Sequence, residues 1–141
     1  MTSSSQPIID LRLGTDIVHI PRLTGAYLRF GSAFFERILT EGELGYCRNA
    51  HITSFLDKAA GRIAIKEAVS KALGTGMNGL GWGEGVAWKD IEVQSKPKAM
   101  PGLVLHGSAQ QRANELSIAE WRITLSHDGD YATATVAGLI R

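Results

Sequence analysis

The stretch SFLDKAAGRIAIKEAVSKALG, residues 54–74, constrains the fold of this chain more than any other. It is rich in Ala and Lys, with Leu and Glu among its other helix formers, has no proline, and ends at Gly74 as a helix ends at a C-cap glycine. Strand-like runs lie mostly after it. Residues 85–95 alternate around Ile91 and Val93, and 102–107 read as a second strand. Residues 120–141 read as two strands joined by a turn at Asp128-Gly129-Asp130. A helix over 108–116 would take Ser108 as its N-cap. One strand comes early, over 8–20, with Gly14 inside it and Pro21 ending it or opening the next element. Residues 22–39 have a helical rhythm broken by Gly25 and Gly31. Thr40 with Glu43 three residues later forms a capping box, so another helix starts near 41. Helices thus gather in the first half and strands in the second. That segregation predicts an α+β single domain, a long helix packed on an antiparallel sheet rather than a doubly wound parallel one.

Composition narrows the function classes. A chain of 141 residues suits one domain, here 11–141 behind a Ser-rich, flexible extension over 1–10. The net charge of +1 argues against a nucleic-acid binder and against a polybasic membrane protein. Cys47 is the only cysteine, which excludes an intrachain disulfide and a Cys-based zinc site. No signal peptide and no apolar run of about 20 residues is present, so the expected location is cytoplasmic, with no membrane partner.

The glycine-rich stretch KALGTGMNGLGWGEG, residues 71–85, contains a G-x-G-x-x-G match from Gly74 to Gly79. A long helix precedes it and a strand follows, the reverse of the strand–turn–helix order of a dinucleotide fold. Walker A spacing is also missing. The bland reading is a helix C-cap and a flexible connection; the other is a loop whose backbone approaches a ligand.

On the long helix, Lys66, Glu67, Ser70 and Lys71 fall in one arc, with Ile65, Val69 and Ala72 opposite. Glu67 and Lys71 could form an ordinary i, i+4 surface pair. With Arg62 one turn before Lys66, the same grouping suits a polyphosphate with a bound metal. Asp16 stands at the end of the first strand, either in a turn or as a functional acid. Asp16 and Glu67 together would suit Mg²⁺. Ser126-His127-Asp128 cannot be a catalytic relay, because consecutive residues of extended chain alternate faces. Ser126 and His127 could instead bind an anion at a strand end. His19, His51 and His106 lack metal-ligand spacing. Arg22, Arg29, Arg37 and Arg48 form either a solvated basic face or a surface for an acidic partner.

Three blocks, LGTDIVHIPR (13–22), FFERILTEGEL through FLDKAAGRIAIKEAVSKALGTG (34–76), and DIEV through ITLSHDGDYATA (90–134), resemble in order the holo-acyl-carrier-protein synthases, the small type of phosphopantetheinyl transferase. The resemblance implies transfer of the phosphopantetheine arm of coenzyme A to a serine of acyl carrier protein, in fatty-acid or polyketide synthesis. It implies Asp16 and Glu67 as Mg²⁺ ligands and Lys71 at the pyrophosphate, with Glu67 or water taking the serine proton. Ser70, Gly74, Thr75 and Gly76 fall beside the coenzyme A phosphates, with Arg62, Ser126 and His127 near the nucleotide. The resemblance implies Lys96 and Pro97 at the ligand, although the family's Gly-Lys-Pro turn reads Ser95-Lys96-Pro97 here, a departure from the pattern at its first position. Arg22 matches a carrier-protein contact. Homotrimers with intersubunit sites are implied as well. The glycine stretch then divides, 71–76 going to the coenzyme A site and 77–85 to a connection. The competing reading is a coenzyme A- or carrier-binding module without catalysis.

Overall fold

Gly14 decides how close the first strand comes to the long helix. A Cβ on it would lie 1.8 Å from the carbonyl oxygen of Ala68, so only glycine permits this contact. The computed structural model describes residues 6–48, 51–77, 85–95 and 99–141. The expected residues 1–5 of the N-terminal extension, most of the 77–85 connection, and Lys96 and Pro97 lie outside them.

Strand β1 (Asp10–His19) is followed by α1 (Ile20–Phe30), α2 (Ala33–Ile38), α3 (Glu41–Cys47) and α4 (Ile52–Leu73). A 3-10 turn (Trp88–Asp90), β2 (Ile91–Gln94), β3 (Gly102–Leu105), α5 (Gly107–Glu115), β4 (Ile118–Asp128) and β5 (Tyr131–Ile140) complete the described elements. The main sheet is antiparallel with order β1-β5-β4, and β2 pairs with β3 in a separate two-stranded ladder. Gly129 at φ +56° turns the chain between β4 and β5, as Asp128-Gly129-Asp130 predicts. The α+β expectation holds, with four of the five described α-helices complete by the end of α4 and four of the five described strands after it.

Boundaries differ from the sequence reading in instructive places. Pro21 opens α1, and Gly25 stays inside that helix; the break comes at Gly31, at φ +66°. Helix α5 begins at Gly107 with His106 in the cap position, so Ser108 is not the N-cap. Asp90 takes that task from outside the helix, its Oδ2 accepting from the backbone N and the hydroxyl of Ser108. The 85–95 run forms only the 3-10 turn and four strand residues, and the 102–107 run ends at Leu105.

The long helix α4 is 22 residues, roughly 33 Å. Gly74 closes it in the left-handed conformation, φ +74° and ψ 18°, as a C-cap glycine should. From Ala59 to Ser70 every residue is buried except half-buried Glu67. One core lies between α4 and the main sheet, joined by β2 and α5. A second packs α1, α2 and α3 around the first half of α4, with Phe35 and Leu39 fully enclosed. Covered on both sides, α4 cannot present the one-sided polar arc that its spacing suggests. Lys66 is the clearest correction: it is fully buried, not facing a ligand.

Candidate active site

Because β1 passes against α4 at Gly14, the next inward residue of the strand, Asp16, reaches the same region as Glu67. Asp16 pairs in register with Ala134, so it stands within the strand and not at its end. An acid there departs from strand preference, and its side chain is engaged. Lys71 donates to Asp16 Oδ1 at 2.8 Å and to the Thr15 carbonyl at 3.0 Å. Lys71 therefore pairs with the strand acid rather than forming the expected i, i+4 bridge to Glu67.

Asp16 and Glu67 line one cavity of about 660 Å³. Its floor is apolar, from Ile17, Val18, Leu23, Ile38 and Ile63. Arg22 and Arg37 add positive charge to it, and Phe34, His19 and Trp88 complete the wall. Burial raises the Glu67 carboxyl above its ordinary range, the Asp16 charge raises it further, and Lys71 opposes both. The donor set is thus two oxygen acids from different elements, close enough to repel, with one ammonium bonded to Asp16. Such a set fits a hard divalent cation.

The remaining candidates do not gather round these acids within one chain. Ser70 is buried and spends its hydroxyl on the Glu67 carbonyl at 2.7 Å. Gly74, Thr75 and Gly76 form the turn beyond α4, with Gly76 at φ +66° and the Thr75 hydroxyl buried without a partner. Two arginines unnoticed in the sequence brace that end. Arg12 donates to the Ala72 carbonyl at 2.6 Å and Arg112 to the Leu73 carbonyl at 3.0 Å, offsetting the negative end of the helix dipole. Arg62, in the first half of α4, is buried, bonds the Ser95 hydroxyl and stacks 4.1 Å over the Tyr46 ring. Ser126 and His127 occupy the end of β4, where the His127 ring donates to the Asp57 carbonyl at 2.9 Å. Of the basic face, Arg22 and Arg37 reach the cavity, whereas Arg48 pairs with Glu36 at 3.5 Å.

Sequence reasoning missed Trp88 and Phe34 as cavity wall. Nothing in their spacing distinguishes them from core aromatics; only the fold brings them to Asp16. Arg37 was visible only as one charge of a basic face.

The chain is similar to known proteins in both sequence and fold. The model of the 4′-phosphopantetheinyl transferase superfamily matches residues 12–136. A holo-[acyl-carrier-protein] synthase of Herpetosiphon aurantiacus is 45% identical over 127 residues, covering 89% of this chain and 96% of that protein. One of Gloeobacter violaceus is 43% identical over 126 residues, covering 89% and 90%. Among solved structures, the Neisseria meningitidis holo-[acyl-carrier-protein] synthase superposes with a TM-score of 0.76 at 30% identity, covering 92% of this chain and 98% of that one. The Helicobacter pylori enzyme in complex with coenzyme A gives 0.71 at 31%, covering 88% and 96%. With the family model spanning both cavity acids and relatives matched along nearly their whole length, this chain belongs to the 4′-phosphopantetheinyl transferase superfamily and is an enzyme of its holo-[acyl-carrier-protein] synthase group.

Proposed function

We propose that this enzyme transfers the 4′-phosphopantetheine arm of coenzyme A to a serine of apo-acyl carrier protein and releases adenosine 3′,5′-bisphosphate. The observation that carries the reading is the convergence of Asp16 and Glu67 on one cavity, with Lys71 bonded to Asp16. Asp16 and Glu67 would hold Mg²⁺, which lowers the charge on the pyrophosphate when bound. The carrier serine oxygen bonds to the β-phosphorus as the bond from that phosphorus to the bridging oxygen breaks. Lys71, half-exposed beside Asp16, offers an ammonium to the developing charge. The serine proton goes to Glu67 or to solvent water. Arg22 and Arg37 give an acidic carrier protein a positive approach to the cavity.

We place the nucleotide contacts at Arg62, Ser70, Gly74, Thr75, Gly76, Lys96, Pro97, Ser126 and His127. Arg62 and Gly74 stand twelve residues apart on one helix, about 18 Å along its axis. That spread supports a homotrimer whose sites lie between subunits, each completed by a neighbour. The outward face of the main sheet supports the same reading, since Leu11, Leu13 and Ile17 of β1 stand exposed there. Among the described residues no helix is long and apolar enough to cross a membrane, consistent with a cytoplasmic role in fatty-acid or polyketide synthesis.

Mass spectrometry of apo-acyl carrier protein after incubation with the enzyme, coenzyme A and Mg²⁺ tests the reaction. The expected result is a phosphopantetheine mass gain on the carrier. Asp16→Asn and Glu67→Gln should each lower turnover on the order of 100-fold while keeping the fold. Coenzyme A binding with no mass gain, read as a raised melting temperature, would instead favour a binding module.

A further inference from the structure

Lys66 and Glu43 form an ion pair at 2.8 Å with both side chains fully buried. A pair of this kind is costly to desolvate, and apolar residues of similar volume often serve stability equally well. Its retention here calls for a reason beyond folding energy, and its contacts supply one. Glu43, closing the α3 capping box, accepts from the Thr40 backbone N at 2.7 Å and from the Val93 backbone N of β2 at 2.9 Å. Lys66 spends a further proton on the carbonyl of Trp88 at 2.8 Å.

Trp88 is the cavity wall's only residue from the second half of the described chain; the others belong to β1, α1, α2 and α4. It lies on a three-residue 3-10 turn with no extended ladder of its own. Lys66 immediately precedes Glu67 on α4. One buried ammonium therefore ties the Trp88 wall to the helix turn that carries a cavity acid.

We propose that the Lys66–Glu43 pair is a positioning element of the active site, which fixes the Trp88 wall relative to Glu67. The proposal rests on the reading of this cavity as the transfer site. Lys66 touches no substrate; it acts through Trp88. Loss of the tie lets the wall move by a fraction of an ångström or more, enough to misplace a reacting group.

The test is the double variant Lys66→Met/Glu43→Gln, which removes both charges together and leaves an amide oxygen for one of the Thr40 and Val93 donors. It is compared with Trp88→Leu, which keeps the pair, and with the triple variant. In the double variant kcat should fall about tenfold while KM for the carrier protein stays within twofold. Acrylamide quenching of Trp88 fluorescence, read in a Trp82→Phe/Trp121→Phe background, should rise. Trp88→Leu should lower kcat by a similar factor, and the triple variant should lose little more, since both changes act through one wall. A folded double variant with unchanged kcat or unchanged quenching overturns the proposal, as does full additivity in the triple. Should the double variant fail to fold, unchanged kcat in Trp88→Leu alone overturns it. If Asp16→Asn and Glu67→Gln keep full activity, it is the cavity assignment that fails instead.

Discussion

Single residues set the chemistry through their neighbours more than through their type. Asp16 is useful because Gly14, one inward position earlier, has no side chain and lets α4 approach. Gly14→Ala should therefore destabilise by about 3 kcal/mol, read by urea unfolding, because the atom its methyl meets is backbone and cannot give way. Cys47 shows the opposite case, a reactive atom made inert. Burial pushes its thiol up to about 11, with Arg62 partly opposing. The folded protein should resist iodoacetamide at pH 8 and react only as it unfolds. The same shift has a linkage consequence with a definite sign. An unfolded thiol ionises near 9.0, before the folded one does. Stability from this group is complete below pH 9 and falls by roughly 2–3 kcal/mol as pH rises toward 11. Cys47→Ala should flatten that fall in denaturant titrations.

Among the elements, α3 and α4 were legible for different reasons. The α3 start was written in a local code: Thr40 accepts from the Glu43 backbone N at 3.2 Å, and Glu43 returns the bond. Local codes survive folding because their partners lie within one turn. Thr40→Ala should cost about 1 kcal/mol in chemical denaturation. The faces of α4 were not legible, since helical spacing says which residues share a side but not how many sides are covered. Lys66 looked like a surface cation because its partner, Glu43, comes from another helix. The cap of α5 failed in the same way: Ser108 has the right chemistry, but Asp90 from the 3-10 turn supplies the acceptor. Glu92 illustrates how such long-range partners govern pH response. The His106 ring holds its carboxyl below the ordinary range by a hydrogen bond at 3.0 Å, and Thr40 adds a second at 3.1 Å. Stability from Glu92 is present above its unfolded value of 4.5 and is lost as pH falls through the lower folded value. His106→Ala should remove that part of the acid dependence below about pH 4.5, followed by melting temperature.

At the scale of the molecule, the paired acids were visible in sequence, but the cavity that unites them was not. It draws on β1, three helices and Trp88, and no spacing rule links residues so far apart. The exposed apolar face of β1, with Leu13 65% and Ile17 61% exposed, is the corresponding surface feature. In the proposed homotrimer, Leu13→Lys/Ile17→Lys should give monomers by light scattering and lose activity at micromolar concentration, with secondary structure intact. The sheet order β1-β5-β4 carries a consequence for how the protein is born. Thr15 finds its hydrogen-bond partner Ala134 only 119 residues later. During synthesis the first strand must wait, unpaired and with apolar residues on show, until every described helix and β4 have been made. A nascent chain arrested before β5 holds Asp16 and Glu67 both, yet has no sheet to set one against the other. Activity in this enzyme therefore arrives late and all at once, and the waiting strand is the segment that a chaperone would be expected to shield.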